Sequence, residues 1–214
     1  MNIKILFSII TFALLITSCM NSNKKTNKES PEQSDSSSSW KAGYDRIEAS
    51  ELPDNVIHLI GKEWMLVTAG KKDSYNTMTA SWGGMGYIWE RPSSFIFIRN
   101  TRYTYQFLQK EEEFTLSFFS EQHRGALRIC GTKSGRDTDK VKEAGLTPME
   151  TPSGLMSFEE ARMIIECKKM FVQELDYANL TTPYFTNIMK ESYEKEPSQH
   201  QLFISEITNI WLKK

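Results

Sequence analysis

The chain has 214 residues, enough for one domain of ordinary size with flanking segments. Lys and Arg number 26 against 27 Asp and Glu, a formal net charge of −1, so there is no electrostatic case for nucleic acid as a partner. No GxGxxG, no Walker loop and no Cys/His metal spacing occurs, which removes the dinucleotide fingerprint, the P-loop and the zinc site as sequence-supported readings.

Residues 1–18 have the three parts of a secretory signal. Lys4 supplies the positive start, residues 5–16 are an almost unbroken apolar run, and the small residues Thr17 and Ser18 lead into Cys19. The apolar run is too short for a permanent transmembrane helix. Ile16, Thr17, Ser18 and Cys19 together resemble a bacterial lipobox. That resemblance implies acylation of Cys19 and a membrane-anchored lipoprotein at the bacterial cell envelope, outside the cytoplasm. An ordinary cleaved signal is the competing reading. Residues 19–39 are polar, rich in Asn, Lys, Ser and Glu, and lack any aromatic side chain, so they are predicted to be a flexible linker. Residues 40–214 are the predicted folded domain.

Within that domain the elements are mostly strand-like. Residues 63–70 are a short apolar run, followed by turn chemistry over 71–75 and a second extended segment over 76–82. Residues 94–99 are β-branched and aromatic, entered through Pro92. Over 113–119, Phe114, Leu116 and Phe118 alternate with Thr115 and Ser117, the period of a strand. Two late strands are predicted over 162–173 and 201–212. Short helices are expected over 101–110, capped by Asn100 or Thr101, and over 121–129, 138–144 and 185–194. Six short strands with interspersed helices predict a mainly β fold with peripheral helices, an antiparallel barrel rather than a doubly wound sheet. Cys130 and Cys167 admit two readings, one disulfide or two buried thiols.

Two clusters carry chemistry. In residues 76–86 hydroxyls, small side chains and glycines gather at a strand end, where a backbone can approach a flat ligand; a small-residue strand with a glycine-rich turn has the same composition. Arg99, Asn100, Thr101, Arg102 and Thr104 end a strand and open a helix, a set of donors suited to phosphate, although arginines are also common on solvated surfaces.

Taken in order, Asn-x-Met-Thr-Ala-Ser-Trp from Asn76, the Gly-rich segment, Pro92, an apolar strand and Arg-Asn-x-Arg-Tyr-Thr from Arg99 resemble the flavin reductase-like family, whose fold is an FMN-binding split β-barrel of Greek-key type. Residues 114–118, 130–137, 166–168 and 200–207 continue the resemblance, which spans about residues 56–212. It implies that Met78, Thr79, Ala80, Ser81 and Trp82 face the isoalloxazine ring. It further implies that Arg99, Asn100, Thr101, Arg102 and Thr104 hold ribityl and phosphate groups, with Lys133 and Ser134 as additions from a neighbouring loop. His200 falls where relatives carry a histidine near flavin and reductant, and a surface loop position is the alternative. Relatives have a glycine where this chain has Ser205. The family implies FMN as cofactor, NAD(P)H or another electron donor as partner, and a homodimer. The expected function is an FMN-dependent oxidoreductase at the cell envelope; the alternative is a non-catalytic flavin-binding or electron-carrier module.

Overall fold

The computed structural model describes residues 39–40, 43–193 and 199–214. The signal, Cys19 and the linker lie outside the described residues, apart from Ser39. In chain order the strands are β1 (Ser39–Trp40), β2 (Tyr44–Ile47), β3 (Met65–Lys71), β4 (Ser74–Ala80), β5 (Gly83–Ile88), β6 (Arg91–Arg99), β7 (Glu113–Phe118), β8 (Pro148–Glu150), β9 (Met156–Phe158), β10 (Met163–Glu174) and β11 (His200–Lys213). The α-helices are α1 (Val56–His58), α2 (Tyr103–Lys110), α3 (Arg124–Thr132), α4 (Lys140–Glu143) and α5 (Pro183–Tyr193).

Nine strands make one antiparallel sheet in the order β1-β2-β11-β10-β7-β3-β4, with β6 pairing β11 and β5 pairing β6. The long strand β11 pairs with β10 along one edge. Its other edge meets β6 over residues 200–206 and β2 over residues 210–213. This is the expected mainly β, antiparallel barrel-like architecture with helices at the periphery. All six anticipated strands are present, with ends that differ by no more than three residues, the largest difference being β6, which starts at Arg91 and not at residue 94.

The apolar run of β3 is continuous because both of its faces are covered. Met65, Val67 and Ala69 belong to the interior cluster with Ile96, Ile98, Phe114, Leu116 and Phe203, whereas Leu66 joins a second cluster with Leu127, Phe158 and Trp211. In β7 the alternation holds, yet the polar face is buried as well. Thr115 Oγ1 donates to the Met156 carbonyl at 2.6 Å, and Ser117 Oγ lies 2.9 Å from Ser157 Oγ, so the β8–β9 hairpin covers what alternation alone reads as a solvated face.

Three details differ from expectation. The glycine-rich segment is strand β5, not a turn. A Cβ at Gly83 would collide with the Phe95 carbonyl, so glycine there permits the close approach to β6. Helix α2 begins at Tyr103 with Arg102 in the capping position and no side-chain cap bond, so neither Asn100 nor Thr101 caps it. Cys130 and Cys167 are both buried free thiols, in different core clusters. Burial raises their pKa values, to about 11 for Cys130 and about 12 for Cys167, which keeps them protonated and unreactive at neutral pH.

Ser205 sits inside β11, paired opposite Ser94. It is fully buried, and its hydroxyl has no hydrogen-bond partner among the described residues. Strand β11 continues through it without a break.

Candidate functional site

The site lies where the sheet path ends. Strand β4 terminates the order, and its last residues face β6 without a hydrogen-bonded ladder between the two. Into that gap open two cavities of about 200 and 240 Å³, which share Met78 and Arg102 and so form one groove.

The larger cavity is lined by Met78, Thr79, Ala80, Ser81 and Trp82 at the end of β4, by Phe97 and Arg99 of β6, and by Arg102 and His200. Antiparallel register explains the meeting of distant residues: Arg99 at the end of β6 pairs with His200 at the start of β11. The Thr79 hydroxyl donates to the Leu127 carbonyl of α3, so its side chain retains only acceptor capacity toward a ligand. Trp82 is half exposed and lies against the His200 ring, with centroids 4.9 Å apart and planes inclined by 33°. His200 is buried, and its Nδ1 lies 2.9 Å from the Tyr177 hydroxyl. Burial, then the charges of Arg99 and Arg102, push its pKa down to about 4, so the imidazole is neutral at pH 7.

The other cavity is built for an anion. The start of α2, residues 101–104, forms one wall, and the loop after α3, with Lys133, Ser134 and Arg136, forms another. Amide N–H groups of a first helical turn have no intrahelical acceptor and favour negative charge. Glycine at position 135 lets this loop press on Asn76, since a Cβ there would collide with the Asn76 side chain. Asn76 in turn donates to Thr104 Oγ1 at 2.6 Å, fixing the helix start against β4. Lys133 is paired with Glu143, and Arg136 reaches the Thr101 carbonyl while covering the Tyr103 ring at 4.8 Å.

Lys140 also lines this cavity, a residue that sequence reasoning missed. It is 4% exposed, and its Nζ donates to the carbonyls of Cys130 and Lys133, each at 3.2 Å. No carboxylate pairs with it among the described residues. Burial lowers its pKa, with Arg102 acting in the same direction and Cys130 against it. The only signal in the chain was its place just after the Asp139 helix cap, and that spacing says nothing about where the ammonium points. Of the anticipated residues, Asn100 is exposed and lines neither cavity. Among the described residues no group of His, Cys, Asp and Glu is placed to hold a metal.

The family profile described as flavin reductase like domain matches residues 57–214, and the chain belongs to that family. No curated protein sequence matches. Among solved structures, the FMN-binding domain of a flavin reductases-like enzyme from Shewanella baltica OS155 is similar at 17% identity, with a TM-score of 0.56, covering 79% of this chain and 77% of that one. Flavoredoxin of Desulfovibrio vulgaris (Miyazaki F) is similar at 25% identity and TM-score 0.54, covering 71% and 69%. The FMN-binding protein from Thermus thermophilus with bound 1-cyclohex-2-enone shares 20% identity and TM-score 0.54, covering 76% of each chain. The fold is the split barrel of these flavoproteins.

Proposed function

We propose that the chain is a flavin-binding oxidoreductase that holds FMN in the groove between β4, β6 and the start of α2. The observation that carries this reading is Lys140: a buried ammonium with two carbonyl partners on the wall of a cavity that Arg102, Lys133 and Arg136 also line. Such a donor set fits a phosphate dianion, because burying a cation is costly unless an opposite charge completes its surroundings.

In this reading Thr101, Arg102, Thr104, Ser134 and Lys140 hold the phosphate. The backbone of residues 78–82, with Phe97, lies along the flat ring system, and Arg99 holds the ribityl side. Bound flavin supplies two-electron transfer between a donor such as NAD(P)H and an acceptor; the polypeptide supplies binding, orientation and electrostatics. The residues around the groove need provide no nucleophile or metal. Arg102, shared by both cavities, sets the ligand's position along the groove, and neutral His200 supplies a polar contact beside Trp82 without adding a third positive charge.

The direct test is the visible spectrum of the purified protein. A yellow protein that releases FMN on denaturation is expected; a colourless one that cannot be reconstituted with FMN overturns the reading, and release of FAD corrects the cofactor. Steady-state NAD(P)H oxidation by the loaded protein then separates an enzyme from an electron carrier. The lipobox-like sequence at Cys19 supports anchoring to the bacterial envelope, which acyl-group mass on the mature N-terminus tests. Exposed Trp82, Tyr87, Trp89 and Phe171 support a homodimer, which sedimentation tests.

A further inference from the structure

We propose, resting on the flavin reading above, that Arg136 is a specificity-determining residue that closes the outer side of the anion cavity. The groove then takes a flavin that ends in a phosphate monoester and resists one that continues into a dinucleotide.

The anion cavity lies between two walls, the start of α2 and the loop that follows α3. Its inner side is shut by the protein itself, since Cys130 and Lys140 line it and are both buried. Arg136 is exposed and spans the outer side. It leaves from the loop, and its guanidinium reaches the opposite wall. There Nη1 donates to the Thr101 carbonyl at 3.4 Å, and the guanidinium carbon lies 4.8 Å from the centre of the Tyr103 ring. A planar guanidinium over an aromatic face is held by charge and by stacking together.

The backbone that carries Arg136 is tied down. The Ser134 carbonyl accepts from the N–H groups of Asp137 and Thr138 at 3.1 and 3.3 Å, and Ser134 Oγ accepts from the Arg136 N–H at 3.2 Å. Glycine at position 135 seats the loop against Asn76 of β4. Behind it Lys140 donates to the Lys133 carbonyl, while Glu143 pairs with Lys133 and accepts from the Thr138 hydroxyl. A loop fixed in this way leaves the Arg136 side chain as the part of the wall that can swing.

A terminal phosphate can end inside such a cavity, with Lys140 on its inner side and the N–H groups of the first α2 turn on the wall. The corresponding phosphate of a dinucleotide is bonded onward to a second phosphate and an adenosine, which must leave through the side that Arg136 spans. Moving Arg136 aside forfeits one exposed cation–π contact and one weak hydrogen bond. Their joint worth is about tenfold in binding.

Isothermal titration calorimetry of the full-length chain, freed of flavin, with FMN and with FAD at pH 7 is the test. The wild type should bind FMN about tenfold more tightly than FAD. Arg136→Ala should bring the two within about twofold, mainly by tightening FAD. A residue acting only through its charge would weaken both flavins on removal and leave their ratio alone, so an unchanged ratio overturns the proposal. A wild type that binds FAD as tightly as FMN, or more tightly, overturns it without any variant. The flavin reading fails in a different way: neither flavin binds the wild type, and the proposal falls with it.

Discussion

Two buried ionisable side chains behave in opposite ways. Glu166 on β10 is 1% exposed, and its carboxyl group accepts from Ser153 Oγ and Asn209 Nδ2, each at 2.7 Å, and from Trp211 Nε1 at 3.1 Å. Both oxygens are occupied, and the group ties β10, β11 and the loop before β9 together. Lys140 is 4% exposed, has two carbonyl partners, and borders a cavity with three other cationic side chains. A saturated buried polar group is a fastener; a buried cation beside a cavity, with no carboxylate paired to it among the described residues, is the feature on which the proposed phosphate site rests. The contrast depends on where the group faces and not on residue type.

Glu166→Ala should have the largest effect. Three donors, of which Trp211 Nε1 is buried, would lose a charged acceptor at once, at a cost of about 3 kcal/mol, read as a lower urea midpoint, while the folded fraction keeps its flavin. Unchanged stability would break the comparison. Lys140→Met should do the reverse. Flavin affinity should fall about thirtyfold, or about 2 kcal/mol, for one lost charge-assisted contact, measured by fluorescence titration with FMN. Stability should fall by no more than about 1 kcal/mol, since a costly buried charge leaves with its bonds. Equal flavin affinity in the two variants would sink the assignment of Lys140.

His200 sharpens the comparison through pH. Its pKa in the fold is about 4, below the ordinary histidine value of 6.5. Between those values the unfolded chain takes up a proton that the folded chain refuses, so stability rises with pH across this window and His200 contributes no slope above it. Urea midpoints taken from pH 4.5 to 7 should show this slope, and His200→Gln should reduce it. Ser205 gives the smallest effect. Its buried hydroxyl lacks a described partner and borders no cavity described above, so Ser205→Ala should raise stability by about 1 kcal/mol. A loss of that size would mean that the hydroxyl is satisfied after all.

Much of the fold was legible because burial leaves periodic traces. The alternation of Phe114, Leu116 and Phe118, and the apolar run around Val67, each identify a strand from local pattern alone. Strand β5 was not legible. Gly83, Gly84 and Gly86 carry no side chains to show a period, and their strand character comes from pairing with β6. The α2 boundary was also misplaced: the donor-rich segment from Arg99 to Thr104 offers several caps, and the structure uses none of their side chains.

The site divides along the same line. The segment from Met78 to Trp82 and the cluster around Arg102 were marked by composition, because small residues and grouped donors are visible without a fold. Lys140 and Tyr177 were not. A lysine on a short helix and a tyrosine in a connecting segment are ordinary residues until the chain places one against the Cys130 carbonyl and the other on the His200 ring. Sequence by itself therefore determined the strands, the family resemblance and the chemical character of the groove, all of which local patterns carry. Tertiary structure alone decided which polar groups end up buried, which are saturated and which face the cavity, because desolvation and hydrogen bonding depend on neighbours that the chain brings from far away.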